Sequence, residues 1–225
     1  MTTPLLEKFK REGTLHKIPK GQVFHSLDFK DEFYVLKKGY VKRSSIRRID
    51  ARSVQAIYGP TYFFPLTPVF KIAFDLTLGE EGSSYFYEAM TDIEVYVMER
   101  KKMAELMEAD QTLYSDLLYE SGRRLKSNIH NLENNVWKEP VHKLAYHLVY
   151  LANEFGRLEQ NGTFGRRVRI QVPLSVRDLS EQLDITEAEI AAEQKKLVKR
   201  NLIEVKGEII TIVSLEMLKD IYLEK

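Results

Sequence analysis

The chain has 225 residues, of which 44% are hydrophobic and 30% are charged, and its formal net charge is +1. This length and apolar content favour two modest domains, each with its own core. The absence of cysteine excludes disulfides, thiolate zinc sites, cysteine-ligated iron–sulfur clusters and cysteine nucleophiles. No signal-peptide pattern and no long apolar run is present, so we expect a soluble cytoplasmic protein without a membrane partner.

The first hundred residues predict a β-rich domain. After a short opening helix that ends at Gly13, short apolar runs separated by turn-forming residues continue to about Met98. The runs are TLHKI, QVF, FYVLK, YVKRSS, SVQAIY, PVFKIAF, SYFYEAM and IEVYVM. About eight strands at this spacing are typical of a small β-barrel or jelly roll. Whether the aromatic stretch from Tyr58 to Phe74 only fills the core or also lines an effector pocket stays open.

From Glu99 the apolar period becomes helical. A short helix in ERKKMAELME precedes a longer one from about Asp110 to Lys138, which would span on the order of 40 Å. Its narrow apolar stripe is typical of a seam between two protomers. The stripe consists of Leu118, Leu125, Ile129, Leu132 and Val136. The alternative is that the stripe packs only against the chain's own barrel.

The last third of the chain predicts a winged helix-turn-helix. Pro140 suits the first position of a new helix, and a polar loop from Gly156 to Gly165 and a strand in RRVRIQV follow that helix. Capping signals at Ser175 and at Thr186 then open two helices, roughly 175 to 183 and 186 to 200. The segment LIEVKGEIITIV predicts a hairpin that turns at Lys206 and Gly207, and a closing helix is expected in SLEMLKDIYL, capped by Ser214.

This order of parts resembles the CRP/FNR superfamily of bacterial transcription regulators. The resemblance covers essentially the whole chain and is most specific in IPKGQVF, FYVLKKGYVK and LSVRDLSEQLDITEAEIAAEQKKLVKRNLIEVKGEIITI. It implies an α+β fold with three segments. These are a cyclic-nucleotide-binding-like β-roll (jelly roll) at 1–108, a long dimerisation helix at 109–138 and a winged helix-turn-helix DNA-binding domain at 139–225.

The family's known sensing motifs are missing. Cyclic-nucleotide-binding members carry a Gly-Glu pair and then an Arg beside Ser or Thr, because a cyclic phosphate needs backbone N–H groups and a guanidinium. Here the first segment reads FFPL at 63–66, and the Arg position falls near Ser83 and Ser84, so we expect no useful affinity for cyclic AMP. The segment GEEGSS at 79–84 is expected to be a solvated loop, since its two glutamates repel phosphate.

No metal or haem site is expected. The barrel histidines, His16 and His25, have nothing nearby that would complete a site. His142 and His147 are five residues apart on one helix and share no face, and they and His130 are expected to be structural or exposed. We therefore expect an orphan-type member without a cofactor, and the existence of an effector stays open.

The recognition helix also departs from the family pattern. Well-studied members place Arg and Glu early in this helix and a second Arg further along, to contact guanine and cytosine edges. By resemblance these positions are Glu187, Ala188 and Ala192, so both arginines are absent. The two alanines suit thymine methyl groups and Glu187 suits a cytosine amino group, while Glu187, Glu189 and Glu193 are expected to oppose the phosphates.

Basic residues further along are expected to hold the DNA backbone. Lys195, Lys196, Lys199 and Arg200 follow on the second helix, with Arg177 on the first helix and Lys206 in the wing. The full expected DNA-binding set is Ser175, Arg177, Thr186, Glu187, Ala188, Ala192, Lys195, Lys196, Lys199 and Lys206. The alternative is that these lysines form only a solvated face.

The resemblance implies a homodimeric regulator that binds double-stranded DNA at a pseudo-palindromic site, with RNA polymerase as a further partner. The second hypothesis is a protein-interaction or scaffold module of the same fold, whose base readout was lost with the arginines. No nucleophile–base pair, paired carboxylates or metal cluster appears at a recognisable spacing, so an enzyme is not expected. The effector, the operator and the direction of regulation stay open.

Overall fold

The computed structural model describes residues 3–26, 32–48, 51–66, 69, 85–162 and 165–223. The chain divides into two compact units, Met1–Ser127 and Asn128–Lys225. The division falls inside the long helix rather than at its two ends, where the sequence places the domain boundaries. Within the described ranges, no helix is long and apolar enough to cross a membrane.

The first unit contains the predicted β-roll. Its described strands are β1 (Thr14–Ile18), β2 (Val23–Ser26), β3 (Glu32–Lys38), β4 (Val41–Arg48), β5 (Ala51–Tyr58), β6 (Phe63–Phe64), β7 (Tyr85–Ala89) and β8 (Ile93–Glu99). They form two antiparallel four-stranded sheets, ordered β1-β8-β3-β6 and β2-β7-β4-β5. The short strand β6 was not predicted. Of the strand predicted at 68–74 only Val69 is described, and it is helical, so the prediction is wrong at that residue.

Strand β3 is buried on both of its faces. On β3, Phe33 and Val35 pack in a cluster with helical residues, whereas Tyr34 and Leu36 pack in the interior of the roll. The helices of this unit that are described over their whole length are α1 (Pro4–Glu12), α2 (Arg100–Ala109) and the start of α3 (Leu113–Asn134). Phe9 of α1 is fully buried against Phe63, which contributes on the order of 2 kcal/mol to folding.

Helix α3 is shorter than predicted. The structure has a turn at residues 110–112 before it, and α3 ends at Asn134 rather than at Lys138. The three residues after its end donate backbone N–H groups to carbonyls three residues back, so the α-helical pattern tightens and stops. Val136 therefore lies in the turn after the helix, and its assignment to the helical stripe is wrong.

The second unit contains the predicted helix-turn-helix and wing. Its elements after α3 are α4 (Pro140–Phe155), β9 (Gly156–Gly162), β10 (Gly165–Ile170), α5 (Val176–Leu183), α6 (Glu187–Lys199), β11 (Ile203–Lys206), β12 (Ile209–Ile212) and α7 (Leu215–Leu223). The strands form an antiparallel sheet in the order β11-β12-β10-β9. As predicted, Pro140 opens α4, and Gly207 has a positive φ of 60° at the hairpin turn.

The prediction of a polar loop between Gly156 and Gly165 is wrong, because the first seven residues of this segment form strand β9. This strand lies at the edge of the sheet and pairs only with β10. Its side chains at 157–159 are all exposed, so no apolar alternation marks it as a strand. A polar contact also joins β9 to β10, because Glu159 forms an ion pair of 3.0 Å with Arg167.

Two buried histidines join three helices of the second unit. His130 Nε2 on α3 lies 2.9 Å from His147 Nδ1 on α4, and His147 Nε2 lies 2.7 Å from Gln182 Oε1 on α5. Gln182 donates through Nε2 to the carbonyl of Asp178, so its Oε1 accepts a hydrogen bond from His147. The proton of His147 is thereby assigned to Nε2, and His130 donates to Nδ1. Both histidines are 4% exposed, and burial lowers the pKa of His147 from 6.5 to about 4.

We expect His147 to make the free energy of unfolding fall as the pH drops from about 6.5 to about 4. Its folded pKa lies below its unfolded value, so the unfolded chain binds the proton first, and the stability present above pH 6.5 is lost on acidification. Between pH 7 and pH 4.5 this loss is about 2 kcal/mol. Urea denaturation of His147→Gln should show a correspondingly weaker pH dependence, whereas the exposed His16→Gln should match the wild type. Equal pH dependence in all three proteins would contradict this assignment.

Candidate functional site

Helices α5 and α6 both begin with reciprocal capping boxes. The Ser175 hydroxyl accepts from the Asp178 N–H at 3.0 Å, and the Asp178 carboxylate accepts from the Ser175 N–H at 3.1 Å. Thr186 and Glu189 repeat the arrangement at 3.2 and 3.0 Å. Asp184, at a positive φ of 55°, ends α5. Each such cap stabilises its helix by about 1 kcal/mol, so the tight turn between the helices is defined by local chemistry.

Two of the expected DNA-binding residues, Ser175 and Thr186, have their hydroxyls engaged in these capping boxes. The Ser175 hydroxyl donates to the Asp178 carboxylate at 2.5 Å, and the Thr186 hydroxyl donates to the Glu189 carboxylate at 2.6 Å. Both hydroxyls therefore bond within their own helix starts. Their contribution to the site is to position α5 and α6.

One face of α6 is exposed along its whole length. The buried face carries Ile190, Gln194 and Leu197, whereas the side chains on the opposite face form a stripe that is exposed to solvent. That stripe follows helical spacing and consists of Ala188, Ala192, Lys195 and Lys199. Small side chains therefore lie in the first half of this face and cations in the second half.

Three cations near the end of α6 are unpaired. Lys195, Lys199 and Arg200 are exposed, and within the described ranges no carboxylate forms an ion pair with them. Lys196, in contrast, donates to Glu193 at 2.7 Å. Outside α6, Arg177 forms an ion pair with Glu181 at 2.9 Å, and Lys206 is exposed beside the wing turn.

Burial changes the role of one glutamate. Glu193 projects from the buried face of α6 and is 8% exposed. The expectation that it opposes DNA phosphates from the exposed face is therefore wrong. Glu187 and Glu189 are exposed, and Glu189 carries the cap, where the Thr186 hydroxyl and N–H lower its pKa. The exposed stripe itself thus carries no carboxylate.

An open cavity of about 380 Å³ lies between the start of α4 and the second half of α6. Its lining residues are Glu139, Val141, Glu193, Lys196, Leu197, Lys199 and Arg200. Helix α4 begins at Pro140 without a side-chain cap, so its positive end adds to the charges of Lys199 and Arg200. Sequence reasoning found the cations, but only the packing of α4 against α6 brings a helix start beside them.

The apolar stripe of α3 is also exposed. Its four helical members are largely in water, with exposed fractions of 74% for Leu118, 59% for Leu125, 44% for Ile129 and 69% for Leu132. Tyr119 beside them is 61% exposed. The alternative that this stripe packs against the chain's own barrel does not fit these exposures.

Comparison with known proteins identifies this arrangement. The Crp-like helix-turn-helix domain matches residues 142–221. The chain has the CRP/FNR regulator fold. A CooA mutant from Carboxydothermus hydrogenoformans has a TM-score of 0.74 at 16% identity, covering 99% of this chain and 97% of that one. FixK2 from Bradyrhizobium japonicum has a TM-score of 0.71 at 18% identity, covering 93% and 96%.

A third solved structure is the c-di-GMP-responsive regulator CLP from Xanthomonas campestris, with a TM-score of 0.67 at 15% identity, covering 93% of this chain and 97% of that one. No curated protein sequence matches the chain. The Crp-like domain and the structural neighbours are those of transcription regulators and not of enzymes.

Within this CRP/FNR fold, the segment that corresponds to the first half of the cyclic-nucleotide motif is a strand. Phe63 and Phe64 form β6, and each is 1% exposed. Ser83 and Ser84, like the whole GEEGSS segment, lie outside the described residues. Among the described residues, no group of three or more His, Asp or Glu is placed to hold a metal ion. His16 is exposed beside Thr14, and the side chain of His25 is outside the described part.

Proposed function

We propose that the protein is a sequence-specific transcription regulator that binds double-stranded DNA in the cytoplasm of a bacterium. The observation that carries this proposal is the exposed face of α6, where two alanines precede unpaired cations. A helix in a major groove needs small or base-matching side chains near its tip and positive charge where it passes the phosphates. The face of α6 has both features in that order.

The proposed contacts divide along α6. Ala188 and Ala192 allow the helix to approach the bases and contact thymine methyl groups, and Glu187 accepts from a cytosine amino group. Lys195 and Lys199 contact phosphates, assisted by the positive start of α4 and by Lys206 in the wing. Base contacts of this kind favour sites rich in A·T pairs over the guanine-rich sites that arginines select.

We also propose that two copies pair along α3. Four large aliphatic side chains on one helix are between 44% and 74% exposed, which water disfavours by roughly 25 cal/mol per Å² of apolar surface. A second copy of the same stripe would bury them through a self-complementary seam. Two winged helices related by this symmetry would bind a pseudo-palindromic site with half-sites about one helical turn apart. RNA polymerase is the further partner on which such a regulator would act.

The second candidate function is a protein-interaction or scaffold module. It is favoured by the absence of arginine at positions 187, 188 and 192. The two functions differ in their response to salt, because phosphate contacts release counterions and weaken as salt rises. Retention on genomic DNA fragments of the source organism, released by salt, supports the regulator. Salt-independent binding to proteins alone supports the scaffold.

We expect charge reversal of Lys195 and Lys199 to abolish DNA retention. Replacing both by Glu removes two phosphate contacts per protomer, so affinity for selected duplex DNA should fall about a hundredfold or more, and the slope of log affinity against log salt should become shallower. Fluorescence anisotropy of labelled duplexes measures both quantities. The matched control carries Lys17→Glu and Lys101→Glu, which change charge equally at exposed positions of the first unit. Unchanged affinity in the Lys195 and Lys199 variant would mean that DNA binds elsewhere.

Leu125→Glu should convert the protein from two copies to one in sedimentation experiments. A carboxylate in the middle of the α3 seam would have to be buried without a partner, which disfavours association. Leu15→Glu is the control, because Leu15 is 44% exposed on β1 and outside the stripe. A wild-type protein that sediments as a single copy at high concentration with DNA present would overturn the homodimer.

Titration calorimetry should detect no useful affinity for cyclic AMP or cyclic GMP. Phe63 and Phe64 are buried in a strand, and the segment at 63–66 lacks the Gly-Glu pair of the cyclic-nucleotide motif, so it does not offer the residues that a cyclic phosphate needs. Low-micromolar binding of either nucleotide would contradict this part of the proposal.

A further inference from the structure

Strand β9 lies at the edge of the sheet in the second unit. Among the described strands it pairs only with β10, so the backbone N–H and C=O groups along its other side are not bonded within a sheet. Leu158 is in register with Val168 of β10, which is in register with Ile212 of β12. Ile203 of β11 continues this row. These three partners are at most 7% exposed, whereas Leu158 is 55% exposed, so the apolar row ends at the edge with a leucine in water.

The opposite face of this edge carries two arginines whose charges are not balanced. Arg157 of β9 lies directly opposite Arg169 of β10, and both side chains are exposed. Within the described part of the chain, no carboxylate forms an ion pair with either of them. Arg167 of β10 differs, because it pairs with Glu204 at 2.8 Å. Like charges directly opposite one another destabilise a sheet, so an anion on the outer side of β9 would stabilise Arg157.

Glu159 places a negative charge two residues further along the same strand. Its contact with Arg167, which shares a face of β10 with Arg169, shows that Glu159 lies on the same face as Arg157. Its Oε2 accepts from Arg167 Nε at 3.0 Å, and no donor among the described residues contacts its Oε1. The edge of β9 therefore presents a cation, an apolar side chain and an anion in that order.

We propose that β9 pairs antiparallel with β9 of a second copy of this chain, about a two-fold axis at Leu158. In this register Leu158 lies opposite Leu158 of the second copy, and the apolar row continues across the axis. Arg157 lies opposite Glu159 of the second copy, and the symmetry forms the same ion pair twice. The outward N–H and C=O groups of the two edges bond to each other. Both faces of the edge are therefore complementary to a second copy.

The order of these side chains favours one register and one partner. A shift of two residues places Arg157 opposite Arg157 or Glu159 opposite Glu159, and a shift of one residue places a charged side chain opposite Leu158. Parallel pairing in register also aligns like charges. An extended segment of another sequence could bond to the backbone of β9 but would have to carry the same order of charges. A second copy carries it by necessity.

The contact is small, and its expected role is cooperativity. Strand β9 has seven residues, and pairing of two strands this short is weak, with a Kd on the order of 0.1 mM. The contact does not involve the stripe of α3, so each dimer of the proposed regulator would offer two such edges. On that proposed function, regulators bound to neighbouring DNA sites would meet at an effective concentration on the order of 1 mM, which gives about tenfold cooperativity.

Sedimentation equilibrium of the full chain carrying Leu125→Glu isolates this contact, because that substitution disfavours pairing along α3. The Leu125→Glu protein should still form dimers at concentrations up to about 1 mM, with a Kd on the order of 0.1 mM. Adding Arg157→Glu places carboxylates opposite each other and should weaken this association at least about tenfold. Adding Lys17→Glu, an equal change of charge at an exposed position of β1, should leave it within about twofold. A Leu125→Glu protein that remains a single copy at about 1 mM would overturn the proposal.

Mixing two charge variants tests the register. In the same background, Arg157→Glu alone and Glu159→Arg alone should each fail to associate, whereas an equimolar mixture should associate about as tightly as the parent. Each carboxylate then meets an arginine of the other variant. Arg157→Glu should also maintain or raise the unfolding temperature, because Arg169 gains an opposite charge, and this separates lost association from misfolding. A mixture that associates no better than either variant would show that the register is wrong.

Duplexes that carry two selected sites, with spacings varied over about two helical turns, test the role on DNA. The wild-type chain should fill the second site about tenfold more tightly at some spacings. Arg157→Glu should fill both sites independently and keep single-site affinity within about threefold. Independent filling by the wild type at every spacing would contradict the cooperative role. Failure of the wild type to bind a single site would instead contradict the proposed function, and sedimentation would still decide whether β9 pairs.

Discussion

An amphipathic helix must bury its apolar surface, and α3 does so only at its two ends. Leu113 and Leu117 lie in a core of the first unit, and His130 and Asn134 are buried in the second. Between them the apolar stripe stays in water, although the hydrophobic effect disfavours such a surface. The rest of the structure depends on this helix, because each unit contains one of its ends. The proposed seam between two copies would bury this stripe and leave both cores unchanged.

In the helix-turn-helix, local hydrogen bonds determine where the helices begin, and tertiary packing determines which side chains of α6 are exposed. Reciprocal caps at Ser175 and Thr186 define where α5 and α6 begin. The hydroxyls and carboxylates of the capping residues form hydrogen bonds within these caps. Packing then decides which charges remain on the face. Glu193 is buried and paired with Lys196, so the exposed stripe ends in unpaired Lys195 and Lys199. A nearly neutral chain can in this way carry a locally positive surface.

The interior of the roll differs from a purely apolar core. Its rings pack closely, as in the stacked pair Phe64 and Tyr87 at 4.8 Å, and such packing accounts for most of the aromatic residues in the unit. Arg43 is the exception, because its guanidinium lies beside the Tyr85 ring and its buried Nε has no hydrogen-bond partner.

The features that could be predicted from the sequence are those whose signal lies within a few residues. The caps at Ser175 and Thr186, the Pro140 helix start and the Gly207 turn each depend on near neighbours, and the β-roll follows from repeated short strands. The edge strand β9, the end of α3, the His130–His147 hydrogen bond and the position of Arg43 were not predictable in this way. Each depends on residues that are distant in the chain and become neighbours only through packing, which periodicity and local spacing do not encode.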